Sequence, residues 1–355
     1  MMLRRALPTL VVLATVLAPA TGHAQIWDFV SLRKVNGRLA GRVDDYTHNH
    51  GQDLRACSPI LGMKRDLYVY VPPGYDPAVA YPLIVYFHSA DFDEHALIGM
   101  GLLEELDAMI LRGECPPVVV ACPDGNYSGR NWVFAKHSLF VNGDGGRMED
   151  HVMQEVIPFV QRHYSILPNR EAHAVLGDSA GGYGALGMAI KHRDFFAASA
   201  TLASPINLRY TNADGIYGQQ FDPATYRWVE RYDPETVIAT FYHGLRRVKA
   251  KSVLGPIYGD GPDALARMAR DNPADLLFGS GLRPGELAIY LRFGALDEYN
   301  FDSHNLSFAW LASGLGIDVE VACDPEGRHN LPFFKAHHQD AFRWLAARLP
   351  PPSAR

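Results

Sequence analysis

The sequence predicts an α/β fold in which a mostly parallel sheet is covered by helices on both faces. Patterns typical of strands and of helices alternate along most of the chain, and this alternation favours parallel strands joined by crossover helices. One strand-to-helix junction carries Gly-x-Ser-x-Gly, at residues 177–181. With 355 residues, the chain is long enough to bury one large core.

The predicted elements follow one another in a simple order. Alternating apolar and polar residues at 66–71 indicate an edge strand, whereas the continuous apolar run at 83–87 indicates a central one. Further strands are predicted at 118–121, 174–176, 195–202, 288–293 and 318–322. Helices are predicted at 101–112, 148–163, 184–192, 301–315 and 333–349, the second with Val152, Val156, Phe159 and Val160 on one stripe.

Regular patterns stop between residues 205 and 271, which we interpret as a cap-like insertion within a single domain spanning residues 25–355. The insertion is rich in aromatic residues, which either line a substrate site or form the insertion's own small core. They are Tyr210, Tyr217, Phe221, Tyr226, Trp228, Tyr232, Phe241 and Tyr242.

Residues 1–24 have the pattern of a cleaved export signal. Arg4 and Arg5 precede an apolar run at 6–20, and Gly22-His23-Ala24 supplies the small residues that a signal peptidase recognises. The run is short and contains two prolines, so a stable membrane anchor is not expected. The sequence therefore predicts an exported protein, periplasmic or extracellular.

Composition excludes some functions. The net charge is -6 and no basic cluster is present, so nucleic acid is not an expected partner. The sequence has no Cys-x-x-Cys and no zinc-ligand spacing, and no metal or cofactor is expected. His48-Asn49-His50 and His337-His338 are expected to be surface or capping residues rather than ligands.

The four cysteines, at 57, 115, 122 and 323, leave the disulfide state open. Cys115 and Cys122 lie at the two ends of a predicted strand, which separates their Cα atoms by roughly 23 Å. A disulfide would therefore need Cys57 or Cys323, and free thiols are the alternative.

The Gly-x-Ser-x-Gly segment predicts a nucleophile elbow at Ser179, where a sharp turn exposes the serine hydroxyl above the sheet. A serine hydroxyl needs a base within hydrogen-bond reach and a third group that orients the base. Asp297 and His329 each follow a predicted strand, in the chain order serine, acid, histidine.

Other residues near these strand ends are weaker candidates. Glu298 could take the acid's place, although neighbouring side chains diverge. His337 and His338 fall within the last helical pattern, and Asp302 and His304 fall at a helix start, where capping is the simpler role.

The oxyanion of a tetrahedral intermediate needs two backbone amides aimed at it. One is expected from Ala180, which follows the nucleophile. The other is expected from the loop after strand 83–87, with Ala90 as the donor and Ser89 as the near alternative.

With these residues identified, the chain resembles the putative-esterase family of α/β-hydrolases, which includes feruloyl and acetyl esterases, S-formylglutathione hydrolase and the antigen 85 mycolyltransferases. The matching motifs span nearly the whole chain after residue 66. They are LYVYVPPGY (67–75), YPLIVYFH (81–88), PDG (123–125), EVIP (155–158), GDSAG (177–181), NP (272–273), GALDE (294–298) and GRH (327–329).

The resemblance implies an α/β-hydrolase fold with Ser179, Asp297 and His329 as nucleophile, acid and base. Two positions depart from the family pattern: the family usually has His-Gly where this chain has His88-Ser89, and methionine where it has Ala180. The insertion is also longer than in compact members, so the substrate-binding residues are not predicted.

The expected function is an exported serine esterase that hydrolyses small-molecule or polysaccharide-linked carboxylic esters through an acyl-enzyme. One alternative is acyl transfer to a sugar or lipid alcohol by the same triad. Another is an inactive carbohydrate- or wall-binding protein. The oligomeric state is not predicted.

Overall fold

The structure is a computed structural model that describes residues 31–127, 137–212, 220–241 and 246–354. The predicted export signal, Tyr217 and Tyr242 lie outside the described residues, as does the side chain of Phe241. The export signal therefore stays a prediction.

An eight-stranded sheet forms the centre of the molecule. In chain order its strands are β1 (Arg42–Tyr46), β2 (Leu67–Val71), β3 (Leu83–Phe87), β4 (Val119–Pro123), β5 (His173–Asp178), β6 (Ala198–Leu202), β7 (Ala288–Gly294) and β8 (Glu320–Asp324). Across the sheet the order is β1-β2-β4-β3-β5-β6-β7-β8. β2 is antiparallel to both of its neighbours, and the other pairs are parallel. The predicted, mostly parallel sheet is thus confirmed.

The edge-strand prediction for residues 66–71 is wrong. All five residues of β2 are buried, and β1 pairs with it on its outer side. β1 has the sequence RVDDY, with only Val43 fully buried. Its polar composition gives no apolar alternation, so the sequence pattern did not reveal it.

Helices cover both faces of the sheet, as predicted. Four of these helices have ten or more residues: α1 (Leu102–Leu111), α2 (Ala180–Lys191), α3 (Phe301–Gly314) and α4 (Leu331–Ala346). A further helical stretch joins Met148–His151, the π-helical Val152–Val156 and Ile157–His163. Shorter helices are Leu32–Asn36, Ala96–Gly99, Arg170–Ala172, Ala250–Val253, Gly255–Tyr258, Ala264–Ala269 and Pro273–Gly279.

The strands divide their side chains between two cores. Leu83, Val85 and Phe87 of β3 pack with α2, α3 and the 148–163 stretch on one face. Ile84 and Tyr86 pack with α1 and α4 on the other. Because every residue of β3 is buried, this strand is a central strand, as its continuous apolar run predicts.

The segment from 205 to 271 emerges between β6 and β7, and those of its residues that the structure describes add no strand to the main sheet. It contains the ribbons Tyr210–Asn212 with Tyr226–Trp228 and Val237–Phe241 with Arg246–Lys249, followed by three of the short helices. Elsewhere, short strand pairs join Ala56–Ser58 to Met63–Arg65, Asn142–Gly143 to Gly146–Arg147, and Val79–Ala80 to Ser353–Ala354.

The cysteines are free thiols. Cys115 and Cys122 are buried, whereas Cys57 and Cys323 are exposed. Within the described parts of the chain, no helix has both the length and the apolar character that crossing a bilayer requires.

Candidate active site

Ser179 occupies a sharp turn between β5 and α2. Its backbone has φ 50° and ψ -120°, a conformation that a residue with a side chain rarely adopts. Two glycines allow the turn, because a Cβ at Gly177 would lie 2.5 Å from the Gly181 carbonyl oxygen and one at Gly181 would lie 2.1 Å from that of Phe87. The Ser179 amide donates to the Leu202 carbonyl of β6 at 2.7 Å, which ties the turn to the sheet.

The structure brings Ser179, His329 and Asp297 together. The Ser179 Oγ lies 2.9 Å from the His329 Nε2, and the His329 Nδ1 lies 2.9 Å from the Asp297 Oδ2. Asp297 follows β7, and His329 follows β8 and precedes α4. The Asp297 side chain is fully buried, and its second oxygen accepts from the Tyr299 amide at 2.8 Å. Because Asp297 acts only as an acceptor in this contact, the imidazole proton lies on Nδ1. Nε2 is then free to accept a hydrogen bond from the serine hydroxyl.

Aromatic rings surround the imidazole, and sequence reasoning did not single them out. Tyr299, Phe301 and Phe334 approach the His329 ring edge-on, with centroid distances of 4.6, 5.2 and 5.4 Å. These contacts restrict the rotation of the ring. The position of Tyr299 and Phe301, two and four residues after Asp297, is the sequence feature that could have indicated these ring contacts.

Glu298, the alternative acid, contacts the backbone of His329 rather than its ring. Its Oε2 accepts from the His329 amide at 2.9 Å, and its Oε1 accepts from the Arg328 Nη1 at 3.0 Å. Partial burial opposes ionisation, but the hydrogen bonds from His329 and Arg328 hold the pKa of Glu298 below its ordinary value. The two neighbouring carboxylates therefore diverge, one to the imidazole and one to the loop that carries it.

The remaining candidates lie outside the triad. The expectation that His337 and His338 are surface or capping residues is wrong, because both are buried. His338 Nε2 lies 2.7 Å from the Asp178 Oδ2, and His337 Nε2 lies 2.9 Å from the Asp324 Oδ2. Hydrogen-bonding carboxylate partners within the fold explain why two histidines tolerate burial there. His48, by contrast, is exposed and pairs with Asp66.

Asp302 and His304 are not caps, since Asn300 occupies the N-cap position of α3 and both residues lie buried within the helix. Burial raises the pKa of Asp302 to about 6 and lowers the pKa of His304 to about 3. The helix begins at Phe301, as predicted, so Asp302 and His304 lie inside its first turn rather than at the N-cap position.

The two predicted oxyanion amides belong to residues on the wall of one cavity beside the nucleophile. Ala90 and Ala180 line it together with Ser179 and His329. Ser89 is buried, and among the described residues it does not line this cavity. Ala90 therefore fits the donor position better than Ser89 does.

His88 holds the oxyanion loop. Its Nε2 accepts from the Gly125 amide at 2.8 Å, so its Nδ1 carries the proton and donates to the Ser89 carbonyl at 2.9 Å. Burial lowers the pKa of His88 and keeps the ring in this neutral form. The loop geometry is thus fixed by a side chain as well as by the strand before it.

A cavity of about 420 Å³ opens beside Ser179 between the sheet and the insertion. Tyr210, Trp228 and Tyr232 of the insertion contribute to its wall. Phe221 instead packs with Tyr226, at 5.9 Å between ring centroids. Some of the insertion's aromatics thus line the cavity, whereas Phe221 and Tyr226 pack with the main core of the domain rather than in a separate small core of the insertion.

A buried cluster near the oxyanion loop is the one group among the described residues with the donor set and spacing of a metal site. Single ligand atoms of Asp93, Glu94 and His95 lie within 4.8 Å of one another. These atoms already have hydrogen-bond partners: His95 Nδ1 lies 3.1 Å from Asp93 Oδ1, and the Asn49 amide donates to Glu94 at 2.6 Å. Burial and the nearby Asp93 hold the pKa of Glu94 well above its ordinary value. Hydrogen bonds thus hold the cluster together, while the buried His95 Nε2 has no hydrogen-bond partner among the described residues.

A family model described as "Putative esterase" matches residues 58–256, which is more than half of the chain. The chain belongs to this family. The resemblance seen in the sequence is thereby confirmed.

Two curated relatives from Mycobacterium tuberculosis strains, Esterase MT1326 and Esterase Rv1288, are 28% identical to this esterase-family chain over 154 residues. The matched stretch is 42% of this chain and 31% of each relative, so the chain spans about a third of their length.

Solved structures agree in fold. A ferulic acid esterase covers 87% of this chain, and 98% of its own length is matched, with a TM-score of 0.61 and 16% identity. The S-formylglutathione hydrolase of Agrobacterium tumefaciens covers 88% of this chain, and 97% of its own length is matched, with a TM-score of 0.62 and 17% identity. FphF, a fluorophosphonate-binding serine hydrolase of Staphylococcus aureus, covers 86% of this chain, and 98% of its own length is matched, with a TM-score of 0.58 and 16% identity. The α/β-hydrolase fold is confirmed.

Proposed function

We propose that the protein is a serine esterase that hydrolyses carboxylic esters through an acyl-enzyme on Ser179. The observation that carries the proposal is the hydrogen-bonded chain from the Ser179 hydroxyl through His329 to the buried Asp297. Membership of the esterase family supports the same reaction.

In the first half-reaction, His329 Nε2 takes the hydroxyl proton as Ser179 Oγ attacks the ester carbonyl carbon. Asp297 keeps the imidazole in the required tautomer and stabilises the imidazolium that forms. The amides of Ala180 and Ala90 hold the oxyanion. The tetrahedral intermediate then expels the alkoxide, which takes the proton from His329 and leaves as the alcohol.

In the second half-reaction, His329 takes a proton from water, and the resulting hydroxide attacks the acyl carbon. Collapse of the second tetrahedral intermediate returns the proton to Ser179 and releases the carboxylic acid. The chemistry needs only the residues named and water.

The test is Ser179→Ala, assayed with p-nitrophenyl esters and with a fluorophosphonate probe. We expect turnover to fall by at least about 10⁴-fold and labelling to disappear, because the nucleophile is gone. Ser313→Ala removes an exposed hydroxyl from α3 and is the matched control. A Ser179→Ala protein that still turns over esters or still binds the probe covalently would overturn the proposal.

Two other functions are outcomes of the same assays. An inactive binding protein would leave Ser179 unlabelled in the unmodified chain. An acyltransferase would give ester rather than acid when a sugar or lipid alcohol is added, and the largely apolar cavity beside Ser179 favours including this arm.

We further propose that the protein is exported and that the 205–271 segment is a cap within one domain spanning residues 25–355. The charged and apolar pattern of residues 1–24 supports export. Expression of the full chain in a bacterium, with fractionation and N-terminal sequencing, tests it. A mature protein that begins at Gln25 outside the cytoplasm is expected, and a cytoplasmic protein that retains residues 1–24 would contradict export.

A further inference from the structure

We propose that the substrate is an uncharged ester carrying an apolar chain or ring of at least about six carbons, which the insertion holds in the cavity beside Ser179. This inference rests on the proposed function, because it names what the same site takes. It is carried by the volume of the cavity, the composition of its wall and the charges at its rim.

The volume far exceeds what a formyl or acetyl group fills. The cavity measures about 420 Å³, whereas an engineered apolar cavity of roughly 150 Å³ is enough to bind benzene. A substrate with only one or two carbons on each side of the ester would leave most of this space unfilled and most of the apolar wall in contact with water.

The wall of the cavity is apolar and comes mainly from the insertion. Leu139 contributes from outside the insertion, whereas the insertion supplies aliphatic side chains on its second ribbon and on the helices that follow. These are Ile238, Val248, Val253, Leu254, Leu265 and Met268. Each methylene that moves from water to such a wall strengthens binding about fourfold, so a chain of several carbons binds there with a large preference over a short one.

Charges at the rim disfavour an anionic chain. Asp91, Glu230 and Asp233 are exposed lining residues, and Arg231 is the one lysine or arginine among the described residues that line the cavity. Among the described lining residues, the exposed carboxylates of Glu230 and Asp233 outnumber the single guanidinium, which gives this part of the entrance a net negative charge. A substrate with a carboxylate at the far end of its chain would meet this charge and would also bury its own carboxylate against the aliphatic wall.

The apolar group can belong to the acid or to the alcohol, and isomeric esters distinguish the two. Ethyl hexanoate and hexyl acetate have the same atoms and the same apolar area, but they place the long chain on opposite sides of the ester bond. We expect one of them to exceed ethyl acetate in kcat/KM by about 100-fold. The better isomer shows which side of the ester enters the cavity.

Monoethyl adipate matches ethyl hexanoate except for a carboxylate at the chain end. If the acid side enters the cavity, it should react at least about tenfold more slowly than ethyl hexanoate. If the alcohol side enters, 6-acetoxyhexanoate, which carries the carboxylate at the end of the alcohol chain, replaces it and is compared with hexyl acetate. Equal rates for the charged and uncharged members of the pair would overturn the charge part of the inference.

Leu265→Trp tests the wall directly, because Leu265 is partly buried on the short helix Ala264–Ala269 and faces the cavity. The larger ring should reduce the preference for the long-chain ester at least about tenfold. Leu111→Trp makes the same change at an exposed position on α1, outside the cavity, and should leave the preference unchanged. If Leu265→Trp does not fold, the ester series on the unmodified protein decides the inference alone.

The results separate this inference from the proposed function. Ethyl acetate hydrolysed as fast as both long-chain isomers, by a protein whose Ser179 binds the fluorophosphonate probe, would overturn the substrate class and leave the esterase intact. A protein that hydrolyses none of the esters and does not bind the probe would overturn both.

Discussion

The nucleophile elbow and the insertion that faces it are built in opposite ways. Every residue from 172 to 190, through β5, Ser179 and most of α2, is buried. The described part of the insertion consists of elements of three to six residues, and residues 230, 231, 233 and 235 within it are exposed. Packing on all sides thus fixes the reacting atom, whereas the cavity wall is built from short elements in which buried and exposed residues mix.

This difference separates chemistry from selectivity. A positive φ at Ser179 costs on the order of 1–3 kcal/mol, and such a conformation persists only where its surroundings over-determine it. The elbow meets that requirement through its burial and its hydrogen bond to β6. The insertion carries no reacting group of the proposed mechanism, so changes there should alter which ester reacts rather than whether esters react.

The largest expected effect is that of Asp297→Asn. The amide can donate to Nδ1 and so favours the tautomer that carries the proton on Nε2, where the serine proton must go. We expect kcat to fall about 10⁴-fold, which corresponds to about 5.5 kcal/mol. Steady-state kinetics with p-nitrophenyl esters measures the effect, and Asp318→Asn, at an exposed position before β8, is the control. A loss below tenfold would remove Asp297 from the triad.

Gly181→Ala tests the packing of the elbow. A Cβ there would lie 2.1 Å from the Phe87 carbonyl oxygen and 2.5 Å from that of His88, directly before the oxyanion loop. We expect destabilisation by more than about 4 kcal/mol, or no soluble protein, measured by urea unfolding. Gly314→Ala, at the end of α3 with no atom near the added Cβ, should instead stabilise by up to about 1 kcal/mol. Equal effects at the two glycines would contradict the close packing.

His304 tests the junction between the core and the insertion, because its ring lies 5.3 Å from that of Phe301 and 6.1 Å from that of Tyr210. Burial lowers its pKa to about 3, from an ordinary value of 6.5. The unfolded chain therefore binds this proton first as the pH falls. Its contribution to stability is complete above about pH 6.5 and is lost between pH 6.5 and about 3.

At pH 5 the loss from this one group is roughly 2 kcal/mol relative to pH 7. His304→Gln cannot bind the proton, so its unfolding free energy should fall less between pH 7 and pH 5 than that of the unmodified protein. Urea unfolding at the two pH values measures the difference. Parallel losses in both proteins would show that His304 does not report acid sensitivity.

The same division explains what the sequence could predict. A continuous apolar run in the sequence indicates a buried strand, and β3 begins and ends at the residues that such a run predicts. Because the ends of parallel strands meet at one edge of the sheet, the loops after β5, β7 and β8 could be placed together before any coordinates were known. Ser179, Asp297 and His329 are found on those three loops.

Contacts made by polar groups over long sequence separations could not be predicted in this way. Asp178, beside the nucleophile, accepts from Tyr86 and is paired with His338, 160 residues away. His338 lies in the polar run at 337–340 of the amphipathic helix α4, and nothing in that local pattern indicates a buried partner. The short ribbons of the insertion were not predicted from the sequence either, because strands of three to five residues have too few positions to show the alternation of apolar and polar residues.

The smallest expected effect is that of Glu298, which is the neighbour of Asp297 on the loop after β7. It accepts hydrogen bonds from the His329 amide and the Arg328 guanidinium, so it positions the backbone of the loop rather than the imidazole itself. Glu298→Ala should lower kcat about tenfold, or about 1.4 kcal/mol, with KM little changed, because substrate contacts are untouched.

Glu298→Gln keeps an oxygen that can accept the His329 amide, so it should recover most of the loss. Glu326→Ala removes an exposed carboxylate from the loop before His329 and is the matched control. A loss as large as that of Asp297→Asn would place Glu298 in the acid's role after all, whereas no loss would show that the loop holds His329 without it. The intermediate result is expected because hydrogen bonds to the loop shift the imidazole by fractions of an ångström, while loss of Asp297 changes which nitrogen carries the proton.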